Sequence, residues 1–143
     1  MTVIIDASVA LKWFIEEPES DAARRILECD EPLTAPDLII AEVCNGAWKA
    51  VRRNLMTVVQ ADAMAYQLPR VFEALHPAEG LAAAAMQMAR DLDHPVYDCF
   101  YLALAEQRDA RIITADQRLI RRLYGTAWET RVLALADFGA ASA

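Results

Sequence analysis

The sequence predicts an α/β fold with a short, mainly parallel central sheet that is covered by helices on both faces. Two short apolar runs rich in β-branched residues, Val3-Ile4-Ile5 and Ile112-Ile113-Thr114, are typical of buried parallel strands. Between these runs, apolar residues recur mainly at helical spacing. With 143 residues and 56% hydrophobic content, the chain has enough apolar mass for one core, so we predict a single domain over residues 1–143.

Strand and helix patterns alternate along the chain. The predicted strands, in order, are 2–5, 33–35, 111–115 and a last edge strand at 132–133. The predicted helices are 8–15, 22–29, 37–53, one from residue 57, 79–92, one from residue 98, and 116–124. Such alternation is typical of βαβ units, in which helices connect parallel strands.

Capping residues and prolines set several of these boundaries. Ser20 or Asp21 is suited to cap the second helix, and Pro36 is suited to the first turn of the third. Pro69 falls inside an apolar helical pattern, where it is expected to kink or end the helix. Gly125 is expected to stop the helix that starts at Asp116.

Composition restricts the function classes. The net charge is −7, which argues against a protein that binds nucleic acid through a generally basic surface. We find no apolar segment long enough to span a bilayer, and the three cysteines are scattered without a metal-binding pair. We therefore expect a cytoplasmic protein with reduced thiols. His76 and His94 each precede a proline in a predicted loop, and we assign neither a role.

Four acidic residues stand at positions where a carboxylate is costly. Asp6 and Asp116 each follow an apolar strand, Asp98 opens a strongly apolar helix, and Glu42 lies within the third helix. If the two strands are neighbours, their carboxyl ends share one edge of the sheet, where open α/β folds place their ligands. Carboxylates gathered there repel one another unless a cation neutralises them.

Each acid has a simpler explanation when it is taken alone. The three aspartates precede helical patterns and suit helix N-caps, and Glu42 suits a solvated helix face. Their shared placement beside apolar segments favours a common site, because an unpaired carboxylate is expensive there. Ser8 and Thr114, two residues from Asp6 and Asp116, are either supporting hydroxyls at this site or helix caps.

A polar stripe extends from Glu42 along its helix. Asn45, Lys49 and Arg52 follow it at helical spacing, which would give a nucleic-acid backbone a path to lie along. An ordinary solvated helix face explains the same spacing equally well. Further cations stand on the helices that begin near Ser8 and Asp116, and either flank the site or are solvated: Lys12, Arg118, Arg121 and Arg122.

The donor set favours Mg²⁺ or Mn²⁺, which prefer carboxylate oxygens and water, over zinc, which prefers histidine and cysteine. Such an ion activates water and stabilises charge on a phosphate, so the residues favour phosphodiester hydrolysis. Two alternatives stay open: a domain that binds RNA or protein without cleaving, and a hydrolase of small phosphomonoesters.

The motifs also resemble a known family. The opening residues 3–13 are similar to the start of PIN-domain ribonucleases, in particular the VapC toxins of bacterial toxin–antitoxin modules. Residues 41–45, 97–105 and 114–119 resemble the second, third and fourth acidic motifs of that family, in the family's order.

The resemblance implies a three-layer α/β/α fold and a Mg²⁺- or Mn²⁺-dependent endoribonuclease. It implies that Asp6, Asp98 and Asp116 form the metal site, with Asp6 and Asp98 as the direct ligands and Asp116 near them, and that Glu42 ligates through water or helps to activate the attacking water. Ser8, Asn45 and Thr114 fall on the family's supporting polar positions. A homodimer that binds a cognate antitoxin is also implied, and an acidic toxin would suit a basic antitoxin segment.

Overall fold

A computed structural model describes residues 2–141, and side chains within it for residues 2–138. This part of the chain forms one five-stranded sheet in the order β3-β2-β1-β4-β5, and every neighbouring pair is parallel. The strands are β1 Val3–Ile5, β2 Leu33–Pro36, β3 Ala74–His76, β4 Arg111–Thr114 and β5 Val132–Ala134. The parallel sheet predicted from the alternating pattern is confirmed.

Helices fill the connections between the strands. They are α1 Ala7–Ala10, α2 Ser20–Ile26, α3 Leu38–Arg52, α4 Val58–Val71, α5 Ala82–Leu92, α6 Val96–Arg108, α7 Gln117–Leu123 and α8 Leu135–Ala141. Short 3₁₀ turns occur at Leu11–Trp13, Ala78–Gly80 and Glu129–Arg131. Within the described residues, no helix is long and apolar enough to cross a membrane.

The core lies on both faces of the central strands. Consecutive residues of β1 and β4, including Ile4, Ile5, Ile112 and Ile113, are at most 1% exposed, so helices cover both sheet faces. The α6 helix is the most deeply buried, since every residue from 101 to 105 is buried. These layers give the α/β/α arrangement that the resemblance implied.

The order of the strands positions the polar residues that follow them. In the sheet, β1 lies between β2 and β4, and Ile5 pairs with Ile113. Because the two strands are parallel and in this register, Asp6 and the residues around Thr114 emerge together at one edge. The adjacency of these strands, assumed from the sequence, is therefore correct.

Several boundaries differ from the predictions. Pro36 ends β2, where it pairs with His76, rather than starting a helix. The α4 helix continues through Pro69 to Val71 and ends two residues after the proline, which has no N–H to donate to the carbonyl four residues earlier. The β3 strand was not predicted, since its three residues lie at the edge of the sheet and carry no buried apolar run.

The start of α2 also differs. Its N-cap is Glu19, in a left-handed conformation with φ of 73°, and neither Ser20 nor Asp21 caps the helix. The Ser20 hydroxyl instead donates to the Ile15 carbonyl at 2.8 Å and accepts from the Glu17 N–H at 3.0 Å. Ser20 therefore fixes the loop before α2 rather than the helix itself.

Candidate active site

Asp6 is the most buried of the four acids. It follows β1 directly, is 5% exposed, and its side chain accepts no capping hydrogen bond from the backbone of the helix that it precedes. Its Oδ2 instead accepts hydrogen bonds from Ser8 Oγ at 2.6 Å and Thr114 Oγ1 at 2.8 Å. Helix capping therefore does not explain why an aspartate stands here.

The same two hydroxyls join the ends of β1 and β4. Ser8 Oγ accepts from the Ala115 N–H and Thr114 Oγ1 accepts from the Asp116 N–H, each at 3.0 Å. Each hydroxyl thus donates to a carboxylate and accepts from the chain that leads to Asp116. The two segments that carry Asp6 and Asp116 are held together by this network.

Burial makes the Asp6 carboxylate costly to ionise. Desolvation is the main cause that raises the pKa of Asp6 from 3.8 to about 6; the charges of Asp98 and Asp116 add to it, and the hydrogen bonds from Ser8 and Thr114 oppose it. Asp98 and Asp116 are therefore close enough to repel the Asp6 carboxylate. A cation at this edge would relieve both effects.

Glu42 approaches the same edge from α3. It is partly buried, and the hydroxyl of Tyr101 donates to its Oε1 at 2.8 Å. Burial is the main cause that raises the pKa of Glu42 from 4.5 to about 7; Asp6 and Asp98 add to it and the Tyr101 hydrogen bond opposes it. The solvated-face explanation therefore does not fit Glu42.

Asp98 lies in the first turn of α6, whose N-cap is Pro95, so Asp98 is not a cap. Its Oδ2 lies 2.6 Å from Nε2 of His94. Asp116 does cap α7, because its Oδ1 accepts from the Arg118 N–H at 2.9 Å. Capping thus explains one contact of Asp116 but neither the burial of Asp6 nor the place of Asp98.

Asp98 and Asp116 open into one cavity of about 430 Å³. Its lining includes both acidic and cationic side chains: Asp93, His94, Pro95, Asp98, Asp116, Arg118 and Arg122. Arg118 is well exposed, whereas Arg122 is bonded to the carbonyl oxygens of Leu92 and Asp93.

Lys12 does not belong to this cavity. Its Nζ contacts Glu17 Oε1 at 3.1 Å and the Pro18 carbonyl at 2.8 Å. The sequence left two explanations open for Lys12, a place beside the site and a solvated surface position. The contacts with Glu17 and Pro18 do not match the first, and a side chain that is only 13% exposed does not match the second.

The polar stripe of α3 is exposed along its length. Asn45 lines a second cavity with Glu42, and Lys49 and Arg52 are exposed further along the same helix. The Arg52 guanidinium lies 5.1 Å from the centre of the Trp48 ring. The stripe therefore starts at a candidate site acid and ends in solvent-exposed cations.

The residues fit a hard cation by their chemistry but do not enclose one as they stand. Among residues 2–141, no three His, Cys, Asp or Glu side chains are close enough together to hold a metal ion. The oxygen-rich donor set and the raised pKa of Asp6 nevertheless suit Mg²⁺ or Mn²⁺, which commonly keep water molecules between themselves and some of the protein ligands.

Sequence reasoning missed two contacts at the site. His94 precedes a proline in the loop before α6, so it was given no role, although its spacing of four residues from Asp98 was a usable signal. Tyr101 belongs to an apolar run of α6, and nothing in that run shows that its hydroxyl reaches Glu42, 59 residues earlier. Only the folded chain, which brings Tyr101 of α6 to Glu42 of α3, reveals the second contact.

The chain matches a known protein family. The PIN domain family model matches residues 3–125, so the chain belongs to the PIN domain family. It is 32% identical to Ribonuclease VapC3 of Pyrobaculum aerophilum over 124 residues, which cover 85% of this chain and 95% of that protein. The family expected from the four motifs is confirmed.

Two further comparisons agree with this assignment. Ribonuclease VapC9 of Mycobacterium tuberculosis is 27% identical over 117 residues, which cover 82% of this chain and 87% of that protein. A toxin–antitoxin complex from Klebsiella pneumoniae contains a chain of the same fold, with a TM-score of 0.68 and 17% identity over 93% of this chain and 97% of that chain.

Proposed function

We propose that this protein is a metal-dependent endoribonuclease and the toxin of a type II toxin–antitoxin pair. The observation that supports it most is the Asp6 carboxylate, which is buried between two hydroxyls and has its pKa raised by burial and by Asp98 and Asp116. The names of the related proteins, which are VapC ribonucleases, support the same activity.

Each acid has a distinct part in this proposal. Asp6, Asp98 and Asp116 would hold a Mg²⁺ or Mn²⁺ ion, and Glu42 would ligate it through water or accept a proton from the attacking water. The bound ion supplies charge stabilisation to the phosphate and lowers the pKa of water. The raised pKa of Glu42, about 7, suits a general base that works near neutral pH.

Hydroxyl groups and the α3 stripe complete the site. Ser8 and Thr114 keep the Asp6 carboxylate in one orientation through bonds of 2.6 and 2.8 Å. Asn45, Lys49 and Arg52 follow Glu42 along α3 and bind the RNA strand, the two cations through its phosphates. Such a local stripe lets a protein of net charge −7 bind RNA.

The remaining parts of the proposal concern the assembly. We propose that residues 1–143 act as one PIN-like domain in the cytoplasm, as a homodimer bound by a cognate antitoxin. The acidic net charge suits an antitoxin with a basic segment.

Cleavage of total cellular RNA by the purified, antitoxin-free protein tests the proposal. We expect discrete fragments with Mn²⁺ or Mg²⁺, none with EDTA, and none from Asp98→Asn. A generic phosphomonoester serves as the second substrate. Hydrolysis of the monoester alone would indicate a small-molecule phosphohydrolase, and RNA binding by the wild type without any cleavage would indicate a binding domain.

A further inference from the structure

Tyr101 is a fully buried residue with a polar group that reaches the candidate site. It lies on α6, is 0% exposed, and is among the largest completely buried side chains of the described chain. A buried phenol needs a partner for its hydroxyl, and here the hydroxyl donates to Glu42 Oε1 at 2.8 Å. The partner is therefore a residue that the proposed function places in the chemistry.

The same hydroxyl also meets the segment that carries Asp6. The backbone of Ala7, the next residue, interacts with the Tyr101 oxygen. The Tyr101 hydroxyl thus contacts both the first residue of α1 and the Glu42 side chain of α3. Because Asp6 directly precedes α1 and α3 carries Glu42, the position of this hydroxyl relates the two acids to each other.

Packing makes the tyrosine a rigid support. Leu102 and Leu104 on the same helix are 0% exposed, so the α6 backbone and the ring have little freedom to move. Glu42, in contrast, is only partly buried and has three side-chain torsions to fix. Burial keeps the pKa of the Tyr101 hydroxyl well above 10, so this group remains a donor.

We propose that Tyr101 is a positioning residue for the nuclease reaction, which holds the Glu42 carboxylate in its working orientation beside Asp6. This inference rests on the proposed function. Tyr101 touches neither RNA nor metal in this account, and it acts only through Glu42.

Tyr101→Phe tests this proposal because it removes the hydroxyl and keeps the ring. Glu42 is partly exposed, so water can replace the lost donor and the variant is expected to fold. We expect kcat for RNA cleavage in Mn²⁺ to fall by about 10–100-fold, the effect of losing a supporting hydrogen bond, with KM unchanged. Tyr66→Phe is the matched control, since Tyr66 is 65% exposed on α4.

A second comparison separates positioning from general stabilisation. If the hydroxyl acts through Glu42, then adding Tyr101→Phe to Glu42→Gln lowers kcat by less than about twofold more. A purely structural role would give the same further loss of kcat in both backgrounds, and would overturn the proposal. Circular dichroism and thermal unfolding of each variant confirm that folded protein is compared.

The outcomes also separate this inference from the function on which it rests. Equal kcat for the wild type, Tyr66→Phe and Tyr101→Phe would overturn the inference and leave the ribonuclease intact. No cleavage by the wild-type protein would overturn the proposed function, and the role of Tyr101 in cleavage would fall with it.

Discussion

The hydroxyl of Thr114 donates a 2.8 Å hydrogen bond to Asp6, although 108 residues separate the two in sequence. Both side chains are buried, with Thr114 at 0% and Asp6 at 5% exposure. The contact depends on the parallel pairing of β1 with β4, in which Ile5 faces Ile113. The register of the sheet core therefore determines the surroundings of the acid at its edge.

Replacing Thr114 with valine tests the strength of this contact. Thr114→Val keeps the side-chain volume but leaves Asp6 with one donor fewer, which we expect to cost about 1–3 kcal/mol in the free energy of unfolding at about pH 8. At about pH 4.5 Asp6 is largely protonated and the loss is smaller, because hydrogen bonds to a charged acceptor are the stronger ones.

Urea unfolding in EDTA at both pH values measures this difference. Thr114→Ser is the control, since it keeps the hydroxyl and loses a methyl group, whose cost does not depend on pH. If Thr114→Val lowered the free energy of unfolding by the same amount at both pH values, the hydrogen bond would be no stronger to the charged Asp6 carboxylate than to the protonated one.

The raised pKa of Asp6 predicts how stability depends on pH without metal. The folded protein keeps the carboxyl proton of Asp6 up to about pH 6, whereas the unfolded chain releases it near pH 3.8. The folded state therefore binds more protons between these two pH values. Stability in EDTA therefore falls as the pH rises from about 4 to about 7, by about 3 kcal/mol from Asp6. Glu42 acts in the same direction, with its pKa raised from 4.5 to about 7.

Asp6→Asn isolates the contribution of Asp6, because the amide cannot ionise. Chemical unfolding across this pH range should show a flatter profile for the variant, and the variant should be the more stable protein at about pH 8 in EDTA. Parallel profiles for the two proteins would mean that the Asp6 carboxylate is not destabilised by its surroundings.

Added metal should offset most of this loss of stability in the wild type. If Mn²⁺ binds the folded state only, a concentration of about 100 times its Kd stabilises the wild type by about 2.7 kcal/mol. Thermal unfolding should therefore show a higher Tm for the wild type with Mn²⁺ and little change for Asp6→Asn. The same rise in Tm for both proteins would place the binding of Mn²⁺ elsewhere.

The contact between His94 and Asp98 predicts an effect on metal affinity. The 2.6 Å contact restrains the Asp98 side chain, so His94→Ala should raise the Mn²⁺ concentration for half-maximal cleavage by about 10–100-fold. His76→Ala is the control for loss of an imidazole, since His76 contacts Arg108 instead. An unchanged Mn²⁺ requirement in His94→Ala would remove His94 from the site.

The α3 cations should affect RNA binding rather than chemistry. Lys49 and Arg52 lie about 10 and 15 Å along the helix axis from Glu42, too far to reach the reacting phosphate but close enough for neighbouring ones. Lys49→Ala and Arg52→Ala should raise KM and leave kcat nearly unchanged. Arg25→Ala on α2 is the control, and a fall in kcat alone for the α3 variants would contradict this assignment.

Much of the site was predictable because strand ends are readable from sequence. The apolar runs before Asp6 and Asp116 indicated strands, and parallel strands bring their carboxyl ends to one edge. The hydroxyls of Ser8 and Thr114 were noticed for the same reason, since each lies two residues from such an end. These inferences need only local pattern and the direction of the strands.

The parts that were missed depend on contacts between distant elements. The Tyr101 hydroxyl reaches Glu42 across 59 residues of sequence, and an apolar helical run does not show which of its members makes a polar contact. The β3 strand is short and partly exposed, so it follows from pairing with β2 rather than from its own pattern. Pro36, read as a helix start, ends a strand because the same pairing extends to it.

Anomalous scattering from Mn²⁺ in crystals of the wild-type protein shows whether the four carboxylates form a cation site. We predict a Mn²⁺ peak at the edge formed by β1 and β4, in direct contact with oxygens of Asp6 and Asp98, and no peak there in Asp6→Asn crystals. Wild-type crystals with Mn²⁺ bound only elsewhere, and none at these carboxylates, would contradict the account.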